Sequence, residues 1–245
     1  MEEFRETISA SDIKLWAFCP KAFYFQKIQN LYPLPNEKTI KGQIIHKLYA
    51  LYFEGRVKAE DVTEYDDTFL EKIEETVEKF ILPIENLELN GKELVLQMKE
   101  SIEKLIFRVR SGFCSIPKYI ERTFQYDGLV ARPDCIFEDN NEMIIGDVKL
   151  NRNDGFGTKL QLATGAILLE KEFGKVVTRG FIIDGEEWNE EVIDITDDLK
   201  KLIWDVKENI LNFYRNPHLP EIDFNPIKCN KCSFKHLCKG VTIYK

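Results

Sequence analysis

Apolar residues in the first hundred positions recur at helical spacing. Ser11 or Asp12 can cap a helix carrying Ile13, Trp16 and Ala17 on one face, and Pro20 can open a second through Phe23 to Ile28. Ile40, Ile44, Ile45, Leu48 and Leu51 then keep a 3.6-residue period. Two longer amphipathic runs, about residues 67–82 and 92–109, are separated by Pro83 and the Asn90-Gly91 turn signal. From residue 118 the period shortens to that of strands, about 118–125, 129–137 and 143–150, broken by Asp127-Gly128 and by Asp139-Asn140-Asn141. This predicts an antiparallel meander. A helix over about 156–171, strands near 176–183 and 191–194, and a helix over 197–214 follow. The order predicts a mixed α/β (α+β) fold, with a mixed sheet flanked by helices.

Composition narrows the class. The 245 residues are 44% hydrophobic and 31% charged, with 17 Phe, which suits a chain that buries a real core and excludes a disordered or low-complexity one. A net charge of −8 argues against coating nucleic acid by bulk charge, but the charge is uneven. Residues 60–78 hold nine acids against Lys72 alone, as a solvated acidic face would. Residues 225–245 hold five lysines and no acid, a stretch suited either to phosphates or to a plain solvated surface. No apolar run approaches the roughly 18–20 residues of a membrane helix, and the opening MEEFRETISA has acids where a secretory signal carries positive charge, so the expected location is cytoplasmic, away from membranes.

Six cysteines in a reducing compartment point to metal or redox chemistry. Cys229, Cys232 and Cys238 form C-x-x-C-x5-C, a spacing that lets thiolates converge on one metal or cluster. Cys19, followed by Pro20, is the natural fourth, for an iron–sulfur cluster or for zinc, with His236 as a competing ligand. Such a site would staple the two ends of the chain together. Cys114 and Cys135 lack spaced partners and read as core residues.

The second constellation is acidic. Arg132-Pro133-Asp134 is followed thirteen residues on by Asp147-Val148-Lys149. Residues two apart on a strand share a face, so Asp147 and Lys149 point together while Ile144, Val148 and Leu150 face the core. Asp134, on the preceding antiparallel strand, can lie beside them. Two carboxylates and a lysine suit Mg2+ or Mn2+ that activates water at a phosphate; a surface ion pair at a hairpin is the plain alternative. His46 lies in an otherwise apolar helical stripe, where a satisfied core histidine is the commoner outcome.

Taken together, this order of residues resembles the RecB-like branch of the PD-(D/E)xK nucleases, most closely the CRISPR-associated iron–sulfur exonuclease family, over almost the whole chain. The resemblance implies a restriction-endonuclease-like core in a single domain, 1–245: an N-terminal helical lobe (1–115), the nuclease core (116–215) and a C-terminal iron–sulfur lobe (216–245). It implies that His46, Asp134, Asp147 and the Val148 carbonyl bind Mn2+ or Mg2+, that Lys149 is the catalytic lysine, and that Cys19, Cys229, Cys232 and Cys238 hold a [4Fe-4S] cluster. Gln161 corresponds to the first position of the family's Q-x-x-x-Y element, whose Tyr is replaced here by Gly165. The implied activity is cleavage of single-stranded DNA from the 5′ end, trimming DNA before insertion into CRISPR arrays alongside the integrase proteins, with oligomers allowed. Lys228, Lys231, Lys235 and Lys239 are candidates to hold the backbone, and Tyr24 or Phe25 to stack bases. Gly165 favours an alternative: a catalytically weak iron–sulfur DNA-binding or assembly module of an adaptation or recombination complex.

Overall fold

The computed structural model describes residues 7–81, 90–140, 142–150 and 155–238. A two-residue strand, β1 (Ile8–Ser9), leads into helices α1 (Ala10–Phe18) and α2 (Pro20–Lys27). Three longer helices, α3 (Glu37–Arg56), α4 (Val62–Ile81) and α5 (Gly91–Arg110), form a helical layer. Local chemistry sets their starts. Asn36 and Asn90 accept backbone hydrogen bonds as N-caps, and Pro20 stands at the first position of α2. The first cap is Ser9, earlier than Ser11 or Asp12; Asp12 is the reciprocal partner of its capping box.

The expected three-strand meander is instead divided between two sheets. Strands β2 (Tyr119–Ile120) and β3 (Phe124–Tyr126) replace the first run, with Glu121 at φ 45° between them; β4 (Leu129–Ala131) and β5 (Cys135–Asp139) replace the second. Pro133, which has no N–H for a ladder bond, stands between β4 and β5. Strand β6 (Glu142–Lys149) follows, then helix α6 (Gly155–Phe173), strands β7 (Arg179–Asp184) and β8 (Glu190–Asp194), and helix α7 (Asp197–Arg215). One sheet has the order β1-β4-β3; the other, β2-β5-β6-β7-β8, is mixed, because α6 carries the chain over so that β7 pairs parallel to β6. The mixed sheet flanked by helices thus matches the sequence expectation.

Strand β6 is buried on both faces. Met143 and Ile145 join the core built with α1, α6 and α7, while Ile144 and Val148 join the core built with α3, α4 and α5. Within the second core the acidic run is not wholly solvated. Asp66 is fully buried, accepting from Tyr52 Oη (2.8 Å), Arg56 Nε (3.3 Å) and Arg110 Nε (2.9 Å), and so ties α3, α4 and α5 together.

The C-terminal segment adds a short helix, α8 (Pro226–Asn230), capped by Asn225, and a 3-10 turn at Lys235–Leu237. Phe234 packs on Phe25 at 5.9 Å between ring centroids, within a small cluster that also takes in Ala22, Cys19, Cys232 and Cys238. Lys228 Nζ donates to the Ala17 carbonyl (3.2 Å), so the two ends of the described chain are joined. Among the described residues no helix is long and apolar enough to cross a membrane.

Candidate functional site

The site grows from the junction of β5 and β6. Cys135 pairs with Gly146, so Asp134, one residue before β5, faces Asp147 across the ladder. Asp134 Oδ2 accepts from the Val148 backbone N–H (2.7 Å), and Asp134 Oδ1 lies 3.1 Å from His46 Nδ1, brought in from α3. Lys149, two residues beyond Asp147 on the same strand face, places Nζ 2.8 Å from Asp147 Oδ2. Asp134, Asp147, His46 and Lys149 are therefore assembled as one cluster, with the main chain of Val148 inside it.

Burial divides the two acids electrostatically. Desolvation pushes the Asp147 carboxyl up to about 6 against the pull of Lys149, with the nearby Asp134 charge pushing the same way. Burial also disfavours the Asp134 charge, but the His46 hydrogen bond and charge outweigh it and hold the group below the usual carboxylate range. For His46, burial favours the neutral ring, and the Asp134 contact reverses this and raises its pKa. The strand end is itself held fast: the Gly185 N–H donates to the Lys149 carbonyl (2.8 Å), and Ser101 Oγ donates to the Gly185 carbonyl (2.8 Å).

Asp147 opens on a cleft of about 240 Å3 shared with Gln161, Ser9, Ser11 and Arg132. Gln161 Oε1 is buried there with no hydrogen-bond partner among the described residues, a polar atom left for something in the cleft. Four residues further along α6, Gly165 lets the helix approach β6 so closely that a Cβ would stand 2.1 Å from Ile145 Cδ1. The place a tyrosine ring would need is filled by Ile145 and Pro133, so the missing Tyr is a packing feature of this chain.

Cys19, Cys229, Cys232 and Cys238 border one cavity of about 400 Å3, with Phe18 and Phe234 in its wall. Burial raises the Cys232 and Cys238 thiols, and the neighbouring cysteines add to it. Cys114 and Cys135 are buried, as expected of core residues. Among the described residues no three His, Cys, Asp or Glu are drawn together tightly enough to grip one ion. At the acidic cluster the carboxylates are engaged by His46 and Lys149, and two hard-oxygen donors beside an imidazole fit Mg2+ or Mn2+. The four soft thiols fit iron–sulfur or zinc.

One sequence expectation for DNA contact is corrected. Phe25 is buried against Phe234 and Tyr24 and is not free to stack a base; Tyr24 is half-buried, with its ring edge-on to Phe213 at 6.4 Å and its hydroxyl accepting from Gln29. Lys239 lies outside the described residues. The sequence reading missed Ser9, Ser11 and Arg132 at the cleft, and β1 is too short to carry a strand signal.

The CRISPR-associated exonuclease Cas4 of Francisella tularensis subsp. novicida is 20% identical over 233 residues, covering 95% of this chain and 93% of the relative. A solved structure from Eubacterium rectale, provisionally assigned as an exonuclease, shares 13% identity over 97% of this chain and 94% of its own, with a TM-score of 0.49. The sequence model of the PD-(D/E)XK nuclease superfamily matches residues 7–239, a span that contains every residue of the acidic cluster and all four clustered cysteines. On that match, with a mixed sheet presenting Asp134, Asp147 and Lys149 together, the chain belongs to the PD-(D/E)XK nuclease superfamily.

Proposed function

We propose that this nuclease is a Mn2+- or Mg2+-dependent deoxyribonuclease that degrades single-stranded DNA from an end, in the 5′ to 3′ direction, and acts in CRISPR spacer acquisition beside the integrase proteins. The observation that carries the chemistry is the half-buried cluster of Asp134, Asp147, His46 and Lys149 opening on the Gln161 cleft. Asp134, Asp147, His46 and the Val148 carbonyl would hold the metal. When bound, it lowers the pKa of a coordinated water and offsets charge on the phosphate.

The protein's own groups do the rest. Lys149, fixed on the same strand face as Asp147, supplies positive charge to the phosphate as negative charge develops there. Gln161, with its free Oε1, orients the attacking water or the nucleotide. The pathway reading is supported by similarity to the Francisella protein, whose name specifies a CRISPR-associated exonuclease. The four cysteines would carry a [4Fe-4S] cluster: all four border one cavity of about 400 Å3, and four thiolates are the ligand set such a cluster takes.

Degradation of end-labelled single-stranded DNA by anaerobically purified protein, with Mn2+ or with EDTA, tests the reading. Wild type is expected to cleave only with metal, while folded Asp147→Asn and Lys149→Ala variants lose at least a hundredfold in rate. Intact DNA under all metals, with wild type folded, overturns it; the label pattern reads the polarity.

A further inference from the structure

A third cavity, of about 460 Å3, lies between α1, the start of α6 and α8, and its charge is opposite to that of the whole chain. Four lysines border it, Lys14, Lys27, Lys228 and Lys231, and no acid does, in a protein of net charge −8. Lys27 is offset by buried Asp12 at 2.8 Å, whereas Lys228 bonds a neutral carbonyl and keeps its charge. Phe156, 55% exposed, stands in the same wall with its ring face accessible. Gly157 beside it makes room for the Lys14 stem: a Cβ there would stand 3.1 Å from Lys14 Cγ.

The groove adjoins both sites already described. Ser11 borders it and the Asp147–Gln161 cleft; Ala17, Phe18 and Lys228 border it and the cysteine cavity. From this geometry we infer that the groove is the track for the DNA strand beside the scissile phosphate, with Lys14, Lys228 and Lys231 on backbone phosphates and one unpaired base stacked on Phe156. The inference rests on the nuclease reading for its direction toward Asp147. Local positive potential, rather than net charge, holds a phosphate backbone, and an exposed ring between lysines is how sequence-independent single-strand tracks engage bases. A paired base has no free face for Phe156, so the track selects single strands.

Binding of a fluorescent oligodeoxynucleotide in EDTA, followed by anisotropy across a salt series, reads the groove without catalysis. Phe156→Ala is expected to weaken binding about tenfold, since stacking one base contributes roughly 1–3 kcal/mol, and Phe156→Trp to restore it. Lys14→Gln combined with Lys231→Gln is expected to lower the slope of log affinity against log salt by about 1.4, at roughly 0.7 per phosphate contact. Lys58→Glu, in the exposed turn that follows α3, is expected to change neither. Unchanged affinity and slope in variants that melt like wild type overturn the inference, as does equally tight binding of a blunt duplex. Weakened binding by groove variants of a wild type that cleaves no DNA keeps the track and removes the nuclease reading; wild-type cleavage with unaffected groove variants does the reverse.

Discussion

Asp147 is the position at which the site works against the stability of the fold. Its carboxyl is 6% exposed and pushed up to about 6 from the ordinary 3.8. Between those values the native chain binds more protons than the unfolded chain, so stability falls as pH rises from about 4 to 6. A difference of about two units amounts to roughly 3 kcal/mol at 1.36 kcal/mol per unit, small at pH 4 and nearly fully expressed by pH 7. Asp147→Asn removes the ionisation while keeping size and shape. It also takes a partner from Lys149, whose side chain is 17% exposed and can turn toward water, which adds an offset that does not follow the Asp147 titration.

The assay is thermal unfolding of wild type and Asp147→Asn in EDTA at intervals from pH 4 to 8. The variant is expected to gain on wild type as pH rises, by about 5–10 °C at pH 7 relative to pH 4, taking 2–4 °C per kcal/mol for a chain of this size. Mn2+ at a hundred times its dissociation constant is expected to return about 2.7 kcal/mol to wild type and nothing comparable to the variant. A gap that stays flat with pH, or that narrows as pH rises, refutes the argument that burial of Asp147 carries a charge penalty. Lower stability in exchange for a preorganised site is the trade expected of catalytic clusters.

Three further outcomes follow from the packing. Gly165→Ala drives a methyl against Ile145 Cδ1 and is expected to cost about 1–3 kcal/mol in denaturant unfolding; Ile145→Val, which removes that methyl, is expected to recover part of it in the double variant. Asp66→Ala leaves Arg56 and Tyr52 without their buried acceptor and is expected to cost about 3–5 kcal/mol, with Tyr52→Phe costing nearer 1 kcal/mol; near-neutral melts for the first would show the helical layer to be held by apolar packing alone. Cys232→Ala is expected to abolish iron-dependent visible absorption and lower the melting temperature, while Lys149→Ala keeps the absorption; equal spectra for the two variants, or a Cys232→Ala melt equal to wild type, would refute the clamp between the chain ends.

The acidic cluster was legible because its geometry is local. Period-two alternation on one strand puts Asp147 and Lys149 on a common face, and an antiparallel neighbour brings Asp134 alongside, so thirteen residues of spacing carry most of the site. The place of His46 beside Asp134 was not legible from α3 alone, whose apolar stripe does not show which histidine reaches the strands. What stayed hidden depends on partners far along the chain. Asp66 looks like its acidic neighbours until Arg110, 44 residues away, reaches it. Pro133 gave a visible sign that the second strand run would break, but only the pairing shows that the break moves the chain from one sheet to the other. Among the aromatics, Phe25 and Phe156 have the same composition-level signal; packing against Phe234 buries one, and the mouth of α6 exposes the other.

The same two-ended construction explains why α1 matters beyond its nine residues. Its first turn supplies Ser11 to the acidic cleft, its length lines the lysine groove, and its last residues border the cysteine cavity. α1 packs on α6, which carries Gln161, and the residue after α1 is Cys19. A helix this short has little stability of its own, so its position must come from tertiary contacts at both ends. The capping box at Ser9 fixes one end and the Phe25–Phe234 cluster, with Lys228 on the Ala17 carbonyl, fixes the other. Thiol ligation at Cys19 would therefore act on catalysis through the wall of the substrate path, at a distance from the reacting phosphate, by holding α1 against α6.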